Sequence, residues 1–408
     1  MLLRTLRSNQ ALLALCCATA ITMSGQGVIS PILPLYAQTF GVSVALVGMA
    51  VSAFGLARLF VNLPAGLAAG AFGRRRVIIL GAALFAGGNL AAGLAADIWL
   101  LIFCRLVAGA GSSMFLTVGH VIVADLSTPE NRGRYMSYLE LSFLTGISLG
   151  PVIGGFMAEL FGYQSPFFLV AVLSTIGSVW ALLRIPETRP ARAQHGSAGS
   201  GVRLSELVHP PLLGLAVVAL TTFLTRAGAR LGIIPLIGAA VGLSPGQIGL
   251  VYTGTIGVEM GLMPIAGAMA DRINRRIVLV ISLLVHAAGP VILMVWQDPW
   301  GFIVASVVLG LGTALGGPSL PSYAADVAPR GGGAGLTMGL YRTYGDIGFL
   351  IGGPLLGWIA DASDFSGALA SNAALLVLAA AVFWLLSRSR AAPSSAHETA
   401  MTSLVQGK

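Results

Sequence analysis

The sequence is poor in charged residues. Of its 408 residues only 9% are charged, whereas 56% are hydrophobic. A soluble domain carries about 25% charged residues, so this chain has too few charges to cover its apolar mass in water. The composition therefore excludes a water-soluble globular protein, and it also excludes a disordered chain. Long apolar runs joined by short polar segments indicate a protein that crosses a membrane several times.

Lysine and cysteine are nearly absent, and each shortage excludes a kind of site. The only lysine is Lys408, so the net charge of +8 comes from arginine. The arginines lie mostly at the ends of apolar runs, where they act as topology signals rather than as nucleic-acid contacts. The three cysteines, Cys16, Cys17 and Cys104, fall inside apolar runs without the spacing of metal ligands. We expect no nucleic-acid partner, no metal site and no cofactor.

The apolar runs predict an all-α membrane protein with twelve transmembrane helices. A helix needs about 20 apolar residues to cross the hydrocarbon layer, and a β-barrel would show alternation instead of continuous runs. The predicted first to twelfth spans are residues 11–36, 43–69, 77–96, 98–124, 135–160, 165–185, 211–239, 246–269, 277–297, 300–325, 334–360 and 367–387. The first run resembles a signal peptide, but we expect it to be retained because an internal repeat requires it.

Basic and acidic residues predict the orientation in the membrane. With a cytoplasmic N-terminus, every basic residue lies either in a cytoplasmic segment or inside a span. The acids at the outer loops or their edges are Asp97, Glu159, Asp298, Asp361 and Asp364. The positive-inside rule therefore predicts an even number of spans with both termini in the cytoplasm. Short loops and an arginine-rich composition favour a bacterial inner (plasma) membrane.

The two halves of the chain repeat each other. Equivalent residues lie 201 positions apart in the first four spans of each half and 203 apart in the fifth; the pairs include Pro34 and Pro235, Gly41 and Gly242, Gly109 and Gly310, Asp125 and Asp326, and Gly150 and Gly353. This repeat predicts two six-helix halves related by an axis along the membrane normal. The halves are residues 1–186 and 211–388, the segment 187–210 is a flexible cytoplasmic linker, and 389–408 is a cytoplasmic tail.

Glycine, proline and arginine form motifs in corresponding places of the two halves. The motif residues are Gly66, Arg74 and Arg75 after the second span, Arg105, Gly109, Asp125 and Arg132 in and after the fourth, Gly146, Gly150, Pro151 and Gly154 in the fifth, Gly267, Asp271, Arg272 and Arg275 after the eighth, and Gly353 and Pro354 in the eleventh. Each also has a structural reading, since spaced glycines allow close helix packing in lipid and Gly-Pro bends a helix.

These motifs, in this order, resemble the major facilitator superfamily, and those in the fourth and fifth spans resemble its twelve-helix drug–proton antiporters. The resemblance covers nearly the whole chain and implies alternating access and proton-coupled efflux. The sequence departs from the family at Gly70, where an acid is expected that holds the loop against the eleventh span. Its loss leaves the arginines after the second span without that partner. The first span also lacks the proton-binding acid of several relatives.

Eight charged residues lie within the spans, where each is costly and therefore a candidate for function. They are Arg58, Arg105, Glu140, Arg226, Arg230, Glu259, Arg342 and Asp346. None lies in the third, sixth, ninth or twelfth span, which predicts that these four helices face lipid. In the resembled family the second span adjoins the eleventh and the fifth adjoins the eighth. Arg58 is then within reach of Asp346, and Glu140 of Glu259.

Three acids are candidates for proton coupling, namely Asp346, Glu259 and Glu140. Each has an alternative structural role, since Asp346 can pair with Arg58 or Arg342, and Glu259 with Arg226 or Arg230. Candidates for lining a substrate cavity are Arg226, Arg230, Arg58, Arg342, Tyr252 and Tyr341. Arg226 and Arg230 are four residues apart, so both can face the cavity and attract an anionic group. His120 and His286 are interpreted as hydrogen-bonded packing residues rather than proton relays.

The sequence thus predicts a secondary active transporter, and the favoured interpretation is proton-coupled efflux of a small amphipathic or drug-like compound by a monomer. One alternative is a uniporter, symporter or exchanger of a small metabolite, which the intramembrane arginines allow to be anionic. Another is a non-transporting sensor or lipid-handling protein on the same scaffold. An enzyme is not expected. The pattern Gly-x-Ser-x-Gly, which surrounds the nucleophilic serine of some hydrolases at a strand-to-helix turn, starts here at Gly146 but lies inside an apolar span.

Overall fold

The computed structural model describes residues 9–128, 131–188, 209–328 and 334–387, which fold into helices and short loops. The predicted tail, 389–408, and most of the predicted linker lie outside the described residues. Eleven helices within the described part are long and apolar enough to cross a membrane. Ala334–Ala362 is a further helix of 29 residues, which corresponds to the predicted eleventh span. The prediction of twelve transmembrane helices in two halves is thus confirmed.

The first half contains six spans. They are, in order, Gln10–Ile29 with Ile32–Gln38, Val44–Phe72, Arg74–Gly93, Ile98–Leu126, Arg132–Phe161 and Ser165–Arg184. The first span was predicted as one helix, but Ser30 and Pro31 interrupt it. Because proline lacks a backbone N–H, a break at this position leaves one fewer donor to satisfy.

The second half contains the other six spans. They are Pro210–Thr225 continued by Arg226–Ile233 and Ile234–Ala240, Pro245–Arg272, Arg275–Val295, Pro299–Asp326, Ala334–Ala362 and Phe365–Leu386. The middle segment of the seventh span, Arg226–Ile233, is a π-helix rather than the α-helix that the sequence predicted. A π-helical turn is wider than an α-helical turn, and such turns occur frequently at functional sites.

Local sequence explains where several spans begin. The carboxylates of Asp97 and Asp298 each accept backbone N–H groups from the first turn of the spans that follow. These bonds satisfy donors that a helix start leaves unpaired. The bond from the Gly301 N–H, 2.8 Å long, also lowers the pKa of Asp298 below its usual range. Asp97 and Asp298 are equivalent in the repeat, so the two halves use the same cap.

The third, sixth, ninth and twelfth spans pack against helices of their own half. The two halves meet where the second span packs on the eleventh and the fifth packs on the eighth. The four spans that carry none of the eight intramembrane charges therefore lie away from the interface between the halves. A helix without charged side chains in its hydrocarbon section can face lipid at little cost.

Three apolar cores show how the halves are joined. One core contains residues of both halves, such as Leu33, Val51 and Ile234. The other two belong to single halves, one around Phe115 and one around Phe383. We call the end of the bundle with the loops after the second and eighth spans the arginine-loop end, and the other end the opposite end. The shared core lies toward the opposite end, so the halves are joined there.

Matching contacts hold the two arginine loops. Arg74 Nε donates to the carboxylate of Asp125 at 3.0 Å, and the equivalent Arg275 Nη1 donates to Asp326 at 2.5 Å. The carboxylate of Glu187 accepts the backbone N–H of Arg74 at 2.9 Å. Arg74 is therefore paired although Gly70 is not an acid. Glu187 was assigned to the flexible linker, but its side chain is bound to this loop.

Candidate functional site

Charged side chains of both halves are exposed at mid-span or toward the arginine-loop end, namely Glu140, Arg226 and Arg342. Because a charged side chain is costly in lipid, these residues indicate a central cavity that opens toward the arginine-loop end. The space that a methyl group would fill at several glycines on that side holds no atom of the described chain within 4 Å. These glycines are Gly70 in the second span, Gly261 and Gly267 in the eighth, and Gly339 in the eleventh. Toward the arginine-loop end, these faces of the second, eighth and eleventh spans therefore do not contact another described helix. The same three spans do join the halves at the opposite end.

The opposite end of the same spans is closed. A methyl group at Gly48 would overlap the carbonyl group of Gly353, and one at Gly249 would overlap the carbonyl group of Pro151. Both contacts join the first half to the second, backbone against backbone. The cavity is therefore accessible from one end only, as alternating access requires of one of its two end states.

Four charged side chains meet at mid-span, on the second, seventh and eleventh spans. Arg58 and Asp346 are half-buried, whereas Arg226 and Arg342 are exposed. The charge of Asp346 interacts with the charges of Arg58 and Arg342. The charge of Arg226 interacts most with those of Arg230 and Glu259, and less with that of Arg58. Within the described residues, none of the four charged groups has an oppositely charged partner within 4 Å. The expected Arg58–Asp346 ion pair is not formed.

Packing between the seventh and eleventh spans explains how these charges come together. The ring of Phe223 lies where a methyl group at Gly345 would be, and a methyl group at Gly348 would overlap the carbonyl group of Leu220. The seventh and eleventh spans are thus in close contact both just before and just after Asp346 in the sequence. Gly352 contacts Leu224 and Gly228, so the backbone at Arg226 lies at the level of Gly352, beyond Asp346 along the eleventh span.

A second polar group lies inside the second half and centres on Arg230. Its Nη2 atom is 2.5 Å from Oε1 of Glu259, close enough for an ion pair although not aligned as a hydrogen bond. Arg230 Nη1 also donates to Thr313 Oγ1 at 3.4 Å, and His286 Nε2 lies 3.2 Å from the same oxygen. Of the alternatives for Glu259, the structure forms the pair with Arg230.

The π-helical segment separates the two arginines of the seventh span. Arg226 is exposed to the cavity, whereas the Arg230 side chain is only 15% exposed and turns toward the eighth span. Tyr252, predicted to line the cavity, is buried and donates its hydroxyl to the Arg230 carbonyl. A void of about 10 Å³, roughly the space of one water molecule, lies beside Arg230 and Tyr252. Of the two arginines predicted to face the cavity, Arg226 is exposed, whereas Arg230 is turned away and paired with Glu259.

The remaining charged candidates lie in the first half. Glu140 is exposed, and its carboxylate is 3.1 Å from Nε2 of His120, so it does not pair with Glu259. Arg105 is buried, donates to Asn89 Oδ1 at 3.3 Å, and lies 4.7 Å from the ring centre of Phe54. Arg105 is therefore held inside its own half by residues of the second and third spans.

The motif glycines of the fifth span pack against the first span. A methyl group at Gly146 would lie 2.5 Å from the Ala20 carbonyl oxygen, and at Gly150 and Gly154 it would overlap the backbone of Gly27 and Val28. Arg132, after the fourth span, donates to Ser127 at 3.4 Å. The side chain of Asp271 is not described.

Sequence analysis missed two polar contacts that link spans inside the first half. Asn62 Oδ1 accepts the hydroxyl of Ser113 at 2.6 Å, and Gln26 Nε2 donates to Ser112 at 2.8 Å. Uncharged polar residues carry less signal than charges in an apolar run, because they occur in membrane helices as ordinary helix–helix contacts.

Comparison with known proteins gives a consistent result. A family model described as Major Facilitator Superfamily matches residues 15–233 and 215–406. The chain is 25% identical to the inner membrane transport protein YajR of Escherichia coli K12, over 90% of this chain and 80% of that protein. It is also 25% identical to multidrug resistance protein 2 of Bacillus subtilis 168, over 83% of this chain and 86% of that protein.

A solved structure shares the fold. It is a bacterial homologue of the human lysosomal transporter Spinster, in an inward-facing and occupied conformation, with a TM-score of 0.78 and 15% identity. The match covers 93% of this chain and 96% of that one.

Proposed function

The chain belongs to the Major Facilitator Superfamily, and we propose that it is a proton-coupled secondary transporter that exports a small amphipathic or drug-like compound. The observation that carries alternating access is the central cavity, which is open at the arginine-loop end and closed by backbone contacts at the other. The positive-inside rule supports the assignment of the arginine-loop end to the cytoplasm. The structure then corresponds to the state that takes up substrate from the cell.

Asp346 is the proposed proton carrier. It lies at mid-span on the eleventh span, which packs against the first half, and it has no ion-pair partner within 4 Å among the described residues. A carboxylate held in a permanent pair changes its protonation state less readily than one without a partner. Glu259, which is paired with Arg230, is therefore a weaker candidate, and Glu140 lies bonded to His120 within one half.

Export rather than uptake is supported by a relative. Multidrug resistance protein 2 is similar over more than four-fifths of both chains. The motifs in the fourth and fifth spans support the same direction, because they resemble those of drug–proton antiporters.

The test uses purified protein in liposomes that enclose a pH-sensitive dye. A proton gradient is imposed, and ethidium, benzoate or glucose is then added. We expect a substrate-triggered proton movement opposite to the substrate, and its loss in Asp346→Asn. Glu140→Gln is the matched control and retains the movement. Undiminished proton movement in Asp346→Asn would disprove the assignment of the carrier, and substrate flux without proton movement would disprove proton coupling.

The central charges favour one second candidate, transport of an anionic solute. Three guanidinium groups lie near mid-span with a single carboxylate: those of Arg58 and Arg342 interact with Asp346, and that of Arg226 interacts with Arg58. A bound anion would compete with that carboxylate for the same guanidinium groups, so protonation of Asp346 would strengthen anion binding. Proton and anion would then move in the same direction. The liposome assay separates the two candidates, because benzoate and protons would move together, whereas an exported compound and protons move in opposite directions.

A further inference from the structure

Two carboxylates at the opposite end bridge the halves in the same way. The carboxylate of Asp361, in the eleventh span, accepts the backbone N–H groups of Val44 and Ala45 at 2.8 and 2.9 Å. Val44 and Ala45 begin the second span, which belongs to the other half. Asp361 therefore caps a helix that is not its own.

The second bridge repeats this arrangement with the halves exchanged. The carboxylate of Glu159, in the fifth span, accepts the backbone N–H of Gly246 at 3.0 Å and the hydroxyl of Ser244 at 2.8 Å. Gly246 lies in the first turn of the eighth span. Asp361 follows Glu159 by 202 positions, close to the offset of the repeat, so the two bridges are equivalent by the internal symmetry.

Each bridge joins a negative charge to a helix N-terminus. The first N–H groups of a helix have no intrahelical acceptor, and the helix dipole places partial positive charge there. Ser43 and Ser244 cap their own helices by accepting the N–H groups of Leu46 and Gln247. The carboxylates satisfy N–H groups nearer the helix start. Those bonds persist only while the halves are in contact, because each carboxylate and its donors belong to different halves.

We propose that Asp361 and Glu159 form a two-part electrostatic latch that holds the opposite end closed and sets the balance between the two access states. When the halves separate at this end, both carboxylates exchange peptide N–H donors for water. The latch thus favours the state open at the arginine-loop end. The close glycine contacts Gly48–Gly353 and Gly249–Pro151 bring the helix starts and carboxylates within bonding distance. This inference concerns the conformational equilibrium and does not depend on the identity of the substrate.

The test measures the separation of the halves at each end by electron paramagnetic resonance between pairs of spin labels. One pair is attached at Thr39 and Ala240, which are exposed at the opposite end. The other is attached at Phe72 and Ile273, which are exposed at the arginine-loop end. The native cysteines Cys16, Cys17 and Cys104 are replaced beforehand. The protein is full-length and reconstituted in lipid nanodiscs.

Neutralising the latch should open one end and close the other. In Glu159→Gln and in Asp361→Asn we expect the population with a long Thr39–Ala240 distance to rise roughly tenfold relative to the short one, and more in the double variant. The Phe72–Ile273 distance should shorten in the same samples. Single variants that remain monodisperse suffice if the double variant does not fold.

The control variants remove a charge at the same end without affecting the bridges. Asp97→Asn and Asp364→Asn change carboxylates that accept N–H groups of the helices they precede, and asparagine is also a good helix cap. Their distance distributions should equal that of the parent protein. Distributions of the latch variants that match these controls would overturn the proposal. Widening at both ends together would also overturn it, because that result indicates general loosening rather than a shift between two states.

Discussion

At the scale of single residues, the five arginines inside the spans differ in their surroundings. Arg226 and Arg342 are exposed to the cavity, Arg58 is half-buried beside Asp346, Arg230 is paired with Glu259, and Arg105 is packed on Phe54. A charge that contacts water in a cavity loses less hydration than one enclosed by side chains. Two of these arginines are therefore bound to neighbouring side chains, whereas the other three have no ion-pair partner within 4 Å among the described residues.

The Arg230–Glu259 pair yields a prediction about stability. Its side chains are 15% and 14% exposed, so removal of one partner leaves a nearly buried charge uncompensated. We expect Glu259→Gln to lower the free energy of unfolding by about 3–5 kcal/mol. The double variant Arg230→Gln with Glu259→Gln should recover most of that loss. Thermal unfolding in detergent, followed by tryptophan fluorescence, measures both effects.

Arg226→Gln provides the comparison for that experiment, because Arg226 lies in the same π-helical segment but is exposed. Its melting temperature should stay close to that of the parent protein. A double variant no more stable than Glu259→Gln would show that the pair is not the source of the effect.

At the scale of secondary-structure elements, glycines determine which helices approach closely. The fifth span contacts the first through Gly146, Gly150 and Gly154, whereas Gly254 and Gly257 of the eighth span face open space. Both sets lie in spans of the interface and have similar spacing in the sequence. The spacing of glycines therefore predicts that a helix has a face of small residues. Whether another helix packs against that face depends on the tertiary structure.

This difference predicts opposite outcomes for the same substitution. Gly154→Ala places a methyl group against the carbonyl oxygen of Val28, so the first and fifth spans must separate. We expect a loss of about 1–3 kcal/mol in the free energy of unfolding. Gly257→Ala meets no atom within 4 Å and should leave stability unchanged. Thermal unfolding of the two purified variants measures the difference. Equal losses in the free energy of unfolding would contradict the conclusion that no described helix packs against the eighth span at Gly257.

At the scale of the whole molecule, the arrangement of the cores defines the conformation. One apolar core is shared by both halves toward the opposite end, while two separate cores serve the single halves. The halves can therefore rock about the interface without disruption of their own cores. Such rigid-body motion is the usual form of alternating access in proteins built from repeats.

The asymmetric access can be tested by chemical labelling from each side of the membrane. In a cysteine-free background, Gly339→Cys should react with a membrane-impermeant maleimide added at the arginine-loop side, because Gly339 is open and shares the helix face of Arg342 and Asp346. We expect the reaction from the other side to be at least about tenfold slower, because the close contacts there exclude the reagent. Thr39→Cys, exposed at the opposite end, should show the reverse preference. Equal reaction of Gly339→Cys from both sides would contradict the one-sided cavity.

The sequence by itself determined the fold class, the two halves and the places where charge enters the membrane. These features follow from local composition, because a run of about 20 apolar residues has few stable alternatives to a transmembrane helix. Asp97 and Asp298 lie 201 positions apart, which is the offset of the repeat, and the structure shows that they cap equivalent helix starts. The broken first span and the π-helical turn at Arg226 were not predicted, since both depart from the period of a regular helix.

Only the tertiary structure decided which charges are paired. Arg226 and Arg230 are four residues apart in the sequence, yet one faces the cavity and the other binds Glu259. The equivalence of Asp361 and Glu159 is visible in the sequence, but their acceptance of N–H groups from the other half is not. Pairing depends on contacts between distant parts of the chain, and the energy of a charge in a membrane depends on those neighbours. Local pattern fixes the helices, and packing between the halves decides what each charged side chain does.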